Sequence, residues 1–199
     1  MIKHYTSILL LIVLILSGCK SIQTPSSQKQ FGIFKVLDNN TSVEMNGEVN
    51  SQSLTNFTSL ITAYPNITII HIKTCDGSSD DDINLQLSAL VHQKKINTHI
   101  EDGGLVASGG TDFFLAGVER SKGSNTKIGV HSWAGNDQEA TDFPEGHIEH
   151  QKYIKYYVSV GFSQTQAKSF YYFTIKAAPA SSIHWMTDAE IQQYGILTK

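Results

Sequence analysis

Three short segments hold the residue types that acyl transfer needs: Cys75-Asp76-Gly77-Ser78, Ala107-Ser108-Gly109-Gly110 and Gly129-Val130-His131-Ser132. A serine hydroxyl is a weak nucleophile until a base within hydrogen-bond reach takes its proton. Neutral imidazole suits that task at ambient pH, because an unperturbed histidine titrates at about 6.5. Ser108 is therefore the candidate nucleophile and His131 the candidate base. A serine at the head of a helix sits at the positive end of its dipole, and the next N–H, that of Gly109, is left without an intrahelical partner. A second N–H from Gly77 would complete an oxyanion hole, in which one donor is worth roughly 3–4 kcal/mol.

These segments must be brought together by the elements around them. Residues 31–37 and 41–47 read as two strands joined by the turn Asp38-Asn39-Asn40. Leu54, Phe57, Leu60 and Ile61 recur at helical spacing, and Pro65-Asn66 stops that helix. The β-branched run from Ile67 to Ile72 reads as a strand buried on both faces. A helix carrying Ile83, Leu87, Leu90 and Val91 follows, then a short strand at 97–100. Gly103-Gly104 begins a stretch that opens a helix over 111–118, and 127–131 is a further strand. Two helices are expected near 147–160 and 163–173, a short strand at 183–186, and a last helix capped by Thr187. Strands alternating with helices imply right-handed crossovers and a mostly parallel sheet, an α/β domain. In such a sheet the carboxyl ends of the strands share one edge, where sites collect.

Composition narrows the possibilities further. A chain that is 40% hydrophobic, with 9 Phe and 8 Tyr, can fill a real core, and a formal charge of −3 gives no nucleic acid a reason to bind. The N-terminus has a basic start, an apolar run from Ile8 to Leu16, and then Leu16-Ser17-Gly18-Cys19, which resembles a bacterial lipobox. That run is shorter than the ~20 residues of a membrane span and reads as a secretion signal. The expected organisation is a lipoprotein signal peptide over 1–18, a lipidated tether over 19–30, and one domain over 31–199. Cys19 would carry the lipid. Lys20 after it, in place of Asp, favours the periplasmic face of an outer membrane. With 2 Cys in the chain, Cys75 is then left alone and no internal disulfide can form.

The order of the motifs resembles the ClpP/crotonase superfamily, in particular secreted ClpP-like serine peptidases. The resemblance runs from Ile33 to Leu197. It rests on Asp76-Gly77 after a strand, Ala-Ser108-Gly-Gly followed by Phe113-Phe-Leu-Ala-Gly, Val118-Glu-Arg120 leading to Lys-Ile-Gly-Val-His131, and Met186-Thr-Asp-Ala-Glu190 near the end. It implies a ClpP/crotonase-like fold of βαβ units, a Ser108–His131 pair, Gly77 and Gly109 as oxyanion donors, and no cofactor. It also implies a peptide or envelope-protein substrate and self-association. Two departures stand out. Asp76 replaces a glycine in the oxyanion turn, and Pro179-Ala-Ser-Ser-Ile-His184 lacks the family's acid. Ser181 or Ser182 orients His131, or an acid reaches in (Asp137, Asp142 and Asp188 are candidates), or the site is a dyad. A catalytically silent lipoprotein that keeps the fold for binding or assembly is the alternative.

Other clusters read more plainly. His147 and His150 share one helix face, with His184 or Glu145 as conceivable further ligands, but no HExxH motif is present and no metal is expected. Asp80-Asp81-Asp82 suits a helix N-terminus and does not fit an EF-hand. Tyr153, Tyr156 and Tyr157 fall at helical spacing and read as packing.

Overall fold

A computed structural model describes residues 28–135 and 137–199. The signal peptide, Cys19 and nearly all of the expected tether lie outside the described residues. No described helix is long and apolar enough to cross a membrane.

The first strands are β1 (Gln30–Phe31), β2 (Phe34–Val36) and β3 (Ser42–Asn46). They form an antiparallel meander in which Val36 pairs with Val43. Asn39 makes the turn, its side-chain carbonyl accepting from the Thr41 and Ser42 N–H groups at 3.0 Å. Helix α1 (Ser53–Ala63) returns the chain to β4 (Ile69–Cys75), parallel to β3. Helix α2 (Asp81–Gln93) leads to β5 (Asn97–Ala107), parallel to β4, and then to α3 (Gly109–Leu115). Strands β6 (Arg120–Lys122) and β7 (Lys127–Val130) both pair parallel with β5. A small hairpin, β8 (Ala134–Gly135) and β9 (Gln138–Glu139), precedes α4 (Ile148–Ser159) and α5 (Gln164–Ala177). Strand β10 (His184–Trp185) closes the sheet antiparallel to β7, and α6 (Asp188–Gln193) starts at the Thr187 cap, which accepts from the Glu190 N–H.

The parallel centre of the sheet matches the α/β expectation, and three details correct it. Strand β4 is buried on one face only: Ile70, Ile72 and Cys75 point inward, while His71 is half-buried and Lys73 exposed. On that outer face Lys73 pairs with Glu44, and His71 with Glu101. The β-branched run therefore marks a strand with helices on one side, not two. Second, residues 97–107 are one strand rather than a short strand and a helix opening. Gly103 adopts φ +70° and a Cβ on Gly104 would lie 2.8 Å from the Lys73 and Glu101 carbonyls, so the glycine pair bends the strand without ending it. Its two halves pair with different partners, β6 and then β7. Third, Arg120–Lys122 forms a strand, β6, too short for any periodicity to mark it in the sequence.

The core lies between the sheet and α1, α2 and α3, where Phe34, Phe57, Leu60, Leu87 and Phe113 are fully buried. Burying such a side chain contributes roughly 1.5–3 kcal/mol. Helices α4 and α5 pack on one another and reach α2 and β7, so they wall off the carboxyl edge of the sheet.

Candidate active site

Strand β4 ends at Cys75, and the turn after it is held by a parallel bridge between Val49 and Ser78. The Gly77 carbonyl accepts from the Val49 N–H at 3.1 Å, and the Gly77 backbone also hydrogen-bonds the Cys75 thiol. Asp76 is exposed and stands outside the cavity described below, so its charge faces solvent.

Strand β5 hands over to α3 at Ser108, whose backbone has φ 53° and ψ −131°. A non-glycine residue in this region carries about 1–3 kcal/mol of strain and persists only where its surroundings hold it. Here they do. The Ser108 N–H donates to the Gly129 carbonyl at 3.1 Å, and the Ser108 carbonyl accepts from the Thr111 N–H at 2.9 Å. Thr111 Oγ1 donates to the same Gly129 carbonyl at 2.7 Å, and Asn84 donates to the Gly109 carbonyl at 2.8 Å. A Cβ on Gly77 would lie 3.8 Å from the Ser108 Cβ, so the glycine turn passes directly over the serine. The Gly109 N–H, at the first position of α3, is free of protein acceptors among the described residues.

His131 follows β7. It shares with Ser108 and Gly109 the wall of one cavity of about 50 Å³, closed by Asp81, Asp112, Trp133, Tyr153, Tyr157 and Tyr171. Its Nδ1 is buried and has no hydrogen-bond partner among the described residues. No hydrogen bond joins Ser108 to His131. The sequence-derived residues thus converge: Ser108, Gly109 and His131 on one cavity, with Gly77 against the serine.

None of the residues considered as the third member lines that cavity. Asp142 caps the turn at Glu139, accepting from its N–H at 2.7 Å. Asp188 stands 3.6 Å from Lys122, and Asp137, Ser181 and Ser182 are exposed. The carboxylates in the cavity are instead Asp81, read from sequence as part of a helix N-terminus, and Asp112, which the sequence did not mark. Asp81 accepts from Ser78 at 2.5 Å and from Tyr153 at 2.7 Å, which occupies both its oxygens. Asp112 accepts from Tyr157 at 2.7 Å through one oxygen only. Burial pushes the Asp112 carboxyl up to about 7, against the pull of the Tyr157 hydroxyl. Asp112 lies four positions after Ser108, one helical turn, a spacing visible in the sequence, but which face of α3 would meet the cavity was not.

The tyrosines expected as packing do more than pack. Tyr153 stacks against Trp133 and Tyr171, and Tyr156 donates to the Asp112 carbonyl at 2.5 Å. His150 is fully buried: Tyr171 contacts its Nδ1 at 2.7 Å, and its Nε2 faces the Phe143 and Pro144 carbonyls at 3.3 and 3.2 Å. His147 caps α4. That pair serves helix packing, and no cluster among the described residues has the geometry of a metal site. Asp80 caps α2, and Asp82 pairs with Lys152 at 3.3 Å.

No protein-family model and no curated protein matches the chain in sequence. Solved structures do match in shape. The catalytic domain of ClpP protease from Plasmodium falciparum aligns with a TM-score of 0.54 at 19% identity, over 80% of this chain and 84% of that one. A mutant of the 1510-N membrane-bound stomatin-specific protease, in complex with a substrate peptide, aligns at 0.51 and 21% identity over 79% and 72%. A ClpP1 mutant from Listeria monocytogenes aligns at 0.50 and 20% identity over 80% and 90%. With its parallel centre, its strand-to-helix serine and these neighbours, the chain has the ClpP-like fold.

Proposed function

We propose that this protein is an envelope-anchored serine hydrolase acting on peptides or envelope proteins through an acyl-enzyme. Ser108 Oγ attacks the scissile carbonyl carbon as His131 takes its proton, and the oxyanion forms against the N–H groups of Gly77 and Gly109. The C–N bond then breaks, with the proton passing from His131 to the leaving amine. Water, deprotonated by His131, releases the acid and restores Ser108. The observation that carries this reading is the backbone of Ser108: a serine held at φ 53° on a strand-to-helix corner, facing a cavity it shares with His131. The free N–H of Gly109 beside Ser108 supports it. The peptide bound to the 1510-N mutant suggests the substrate class.

Anchoring rests on Leu16-Ser17-Gly18-Cys19, with diacylglycerol on the Cys19 thiol and the tether leading to the domain. Two or more acyl chains, at about 0.8 kcal/mol per buried methylene, hold a domain to the membrane. Self-association into a homo-oligomer belongs to the same reading. The experiment is labelling of the membrane fraction with a fluorophosphonate probe. Labelling should vanish in Ser108→Ala and fall on the order of 10³-fold in His131→Ala. Folded protein that takes no label overturns the hydrolase and leaves the binding or assembly role. Cys19→Ser should move the protein to the soluble fraction.

A further inference from the structure

We propose that Asp112 is the carboxylate that serves Ser108 and His131, a positioning residue acting on the imidazole across the water of the cavity rather than by direct contact. This rests on the hydrolase reading above. In the attack step Ser108 gives its proton to His131, and an ionised Asp112 stabilises the imidazolium without accepting a proton itself.

Four observations carry it. The inner nitrogen of His131 has no protein partner among the described residues, so no side chain orients the ring directly. Of the two carboxylates in the cavity, Asp81 has both oxygens taken, by Ser78 and Tyr153. Asp112 has one oxygen taken by Tyr157, and the other is neither bonded to a described residue nor sealed from solvent. Asp112 also sits one turn along α3 from Ser108, its N–H 3.4 Å from the Ser108 carbonyl. Finally, a cavity of about 50 Å³ lined by such polar groups has room for a water to bridge them.

The surroundings of Asp112 favour a tuned acid over a structural one. From α2 it faces Asp81, from α4 Tyr153, Tyr156 and Tyr157, from α5 Tyr171, and from the end of β7 His131. No lysine or arginine lines this cavity. Desolvation, with a smaller push from Asp81, lifts the carboxyl to about 7, so its charge switches in the range where acid–base catalysis works best. A carboxylate held this way costs stability, and a packing role would be filled better by a neutral residue.

The test is the second-order rate of fluorophosphonate labelling across about pH 5.5 to 9 for the wild type, Asp112→Asn and Asp112→Glu. The wild-type rate should climb through about pH 7 as Asp112 ionises. Asp112→Asn should match the wild type near pH 5.5, where both carry a neutral group, and lag it by about tenfold or more near pH 8.5. Asp112→Glu should recover part of the climb. Asp112→Asn removes a buried charge and keeps the Tyr157 partner, so it should fold. Equal rates at every pH, or a constant ratio across the range, overturn the proposal while leaving the hydrolase intact. Wild-type protein that takes no label at any pH overturns both.

Discussion

Tyr157 on α4 donates a 2.7 Å hydrogen bond to the Asp112 carboxylate on α3, and together with the Tyr156 bond to the Asp112 carbonyl it ties α3 to α4. The carboxyl it holds moves from 3.8 to about 7 on folding. The sign of the pH effect follows. At pH below the unfolded value both states carry the proton, and Asp112 costs nothing. Between the two values the folded state keeps a proton the unfolded state has lost, so stability falls as pH rises, levelling above about 7. Asp112→Asn should therefore raise the melting temperature by roughly 4–8 °C near pH 8, for about 2 kcal/mol once the shift is discounted for partial solvent screening, and by almost nothing near pH 4. Thermal melts at both pH values decide it; an equal gain at the two would show that ionisation is not the cause.

Gly110 is a packing requirement, and Gly77 is not. A Cβ at Gly110 would stand 1.9 Å from the Cys75 carbonyl oxygen, backbone that cannot step aside, whereas at Gly77 the nearest atom is 3.8 Å away. Gly110→Ala should lose about 3 kcal/mol or fail to fold. Gly77→Ala should stay within about 1 kcal/mol of the wild type. Urea unfolding of the two variants compares them directly.

Arg120 anchors the C-terminus without an acidic partner among the described residues. Its guanidinium donates to the Ile196, Gly195 and Gly117 carbonyls at 2.7, 3.2 and 3.2 Å and lies over the Phe162 ring. A lysine offers one point of contact where this fork offers three, and buried carbonyls would lose their donors. Arg120→Lys should cost about 2–3 kcal/mol and raise hydrogen exchange over residues 195–199. Unchanged exchange there would show that the tail is held by other contacts.

Cys75 is sealed beneath the glycine turn, and burial pushes its thiol up to about 12. In Cys19→Ser protein it is the single thiol. Ellman's reagent near pH 8 should leave the folded protein untouched and react fully in urea, because the thiolate is the reactive form. Rapid labelling of the native state would mean that the turn opens.

The alternation of strands and helices, the cap at Thr187, and the corners at Gly77, Ser108 and His131 are local patterns, set by side-chain period and turn chemistry, and the sequence alone determined them. What it could not reveal depends on distant segments. Strand β5 continues through Gly103-Gly104 because two neighbouring strands pair with its two halves, and β4 is covered on one face because no described helix crosses the other. Asp112 belongs to the site because α4 and α5 fold back over the edge of the sheet and enclose it. Periodicity tells which residues turn inward, but only the packing of sequence-distant helices decides which of them meet around one cavity.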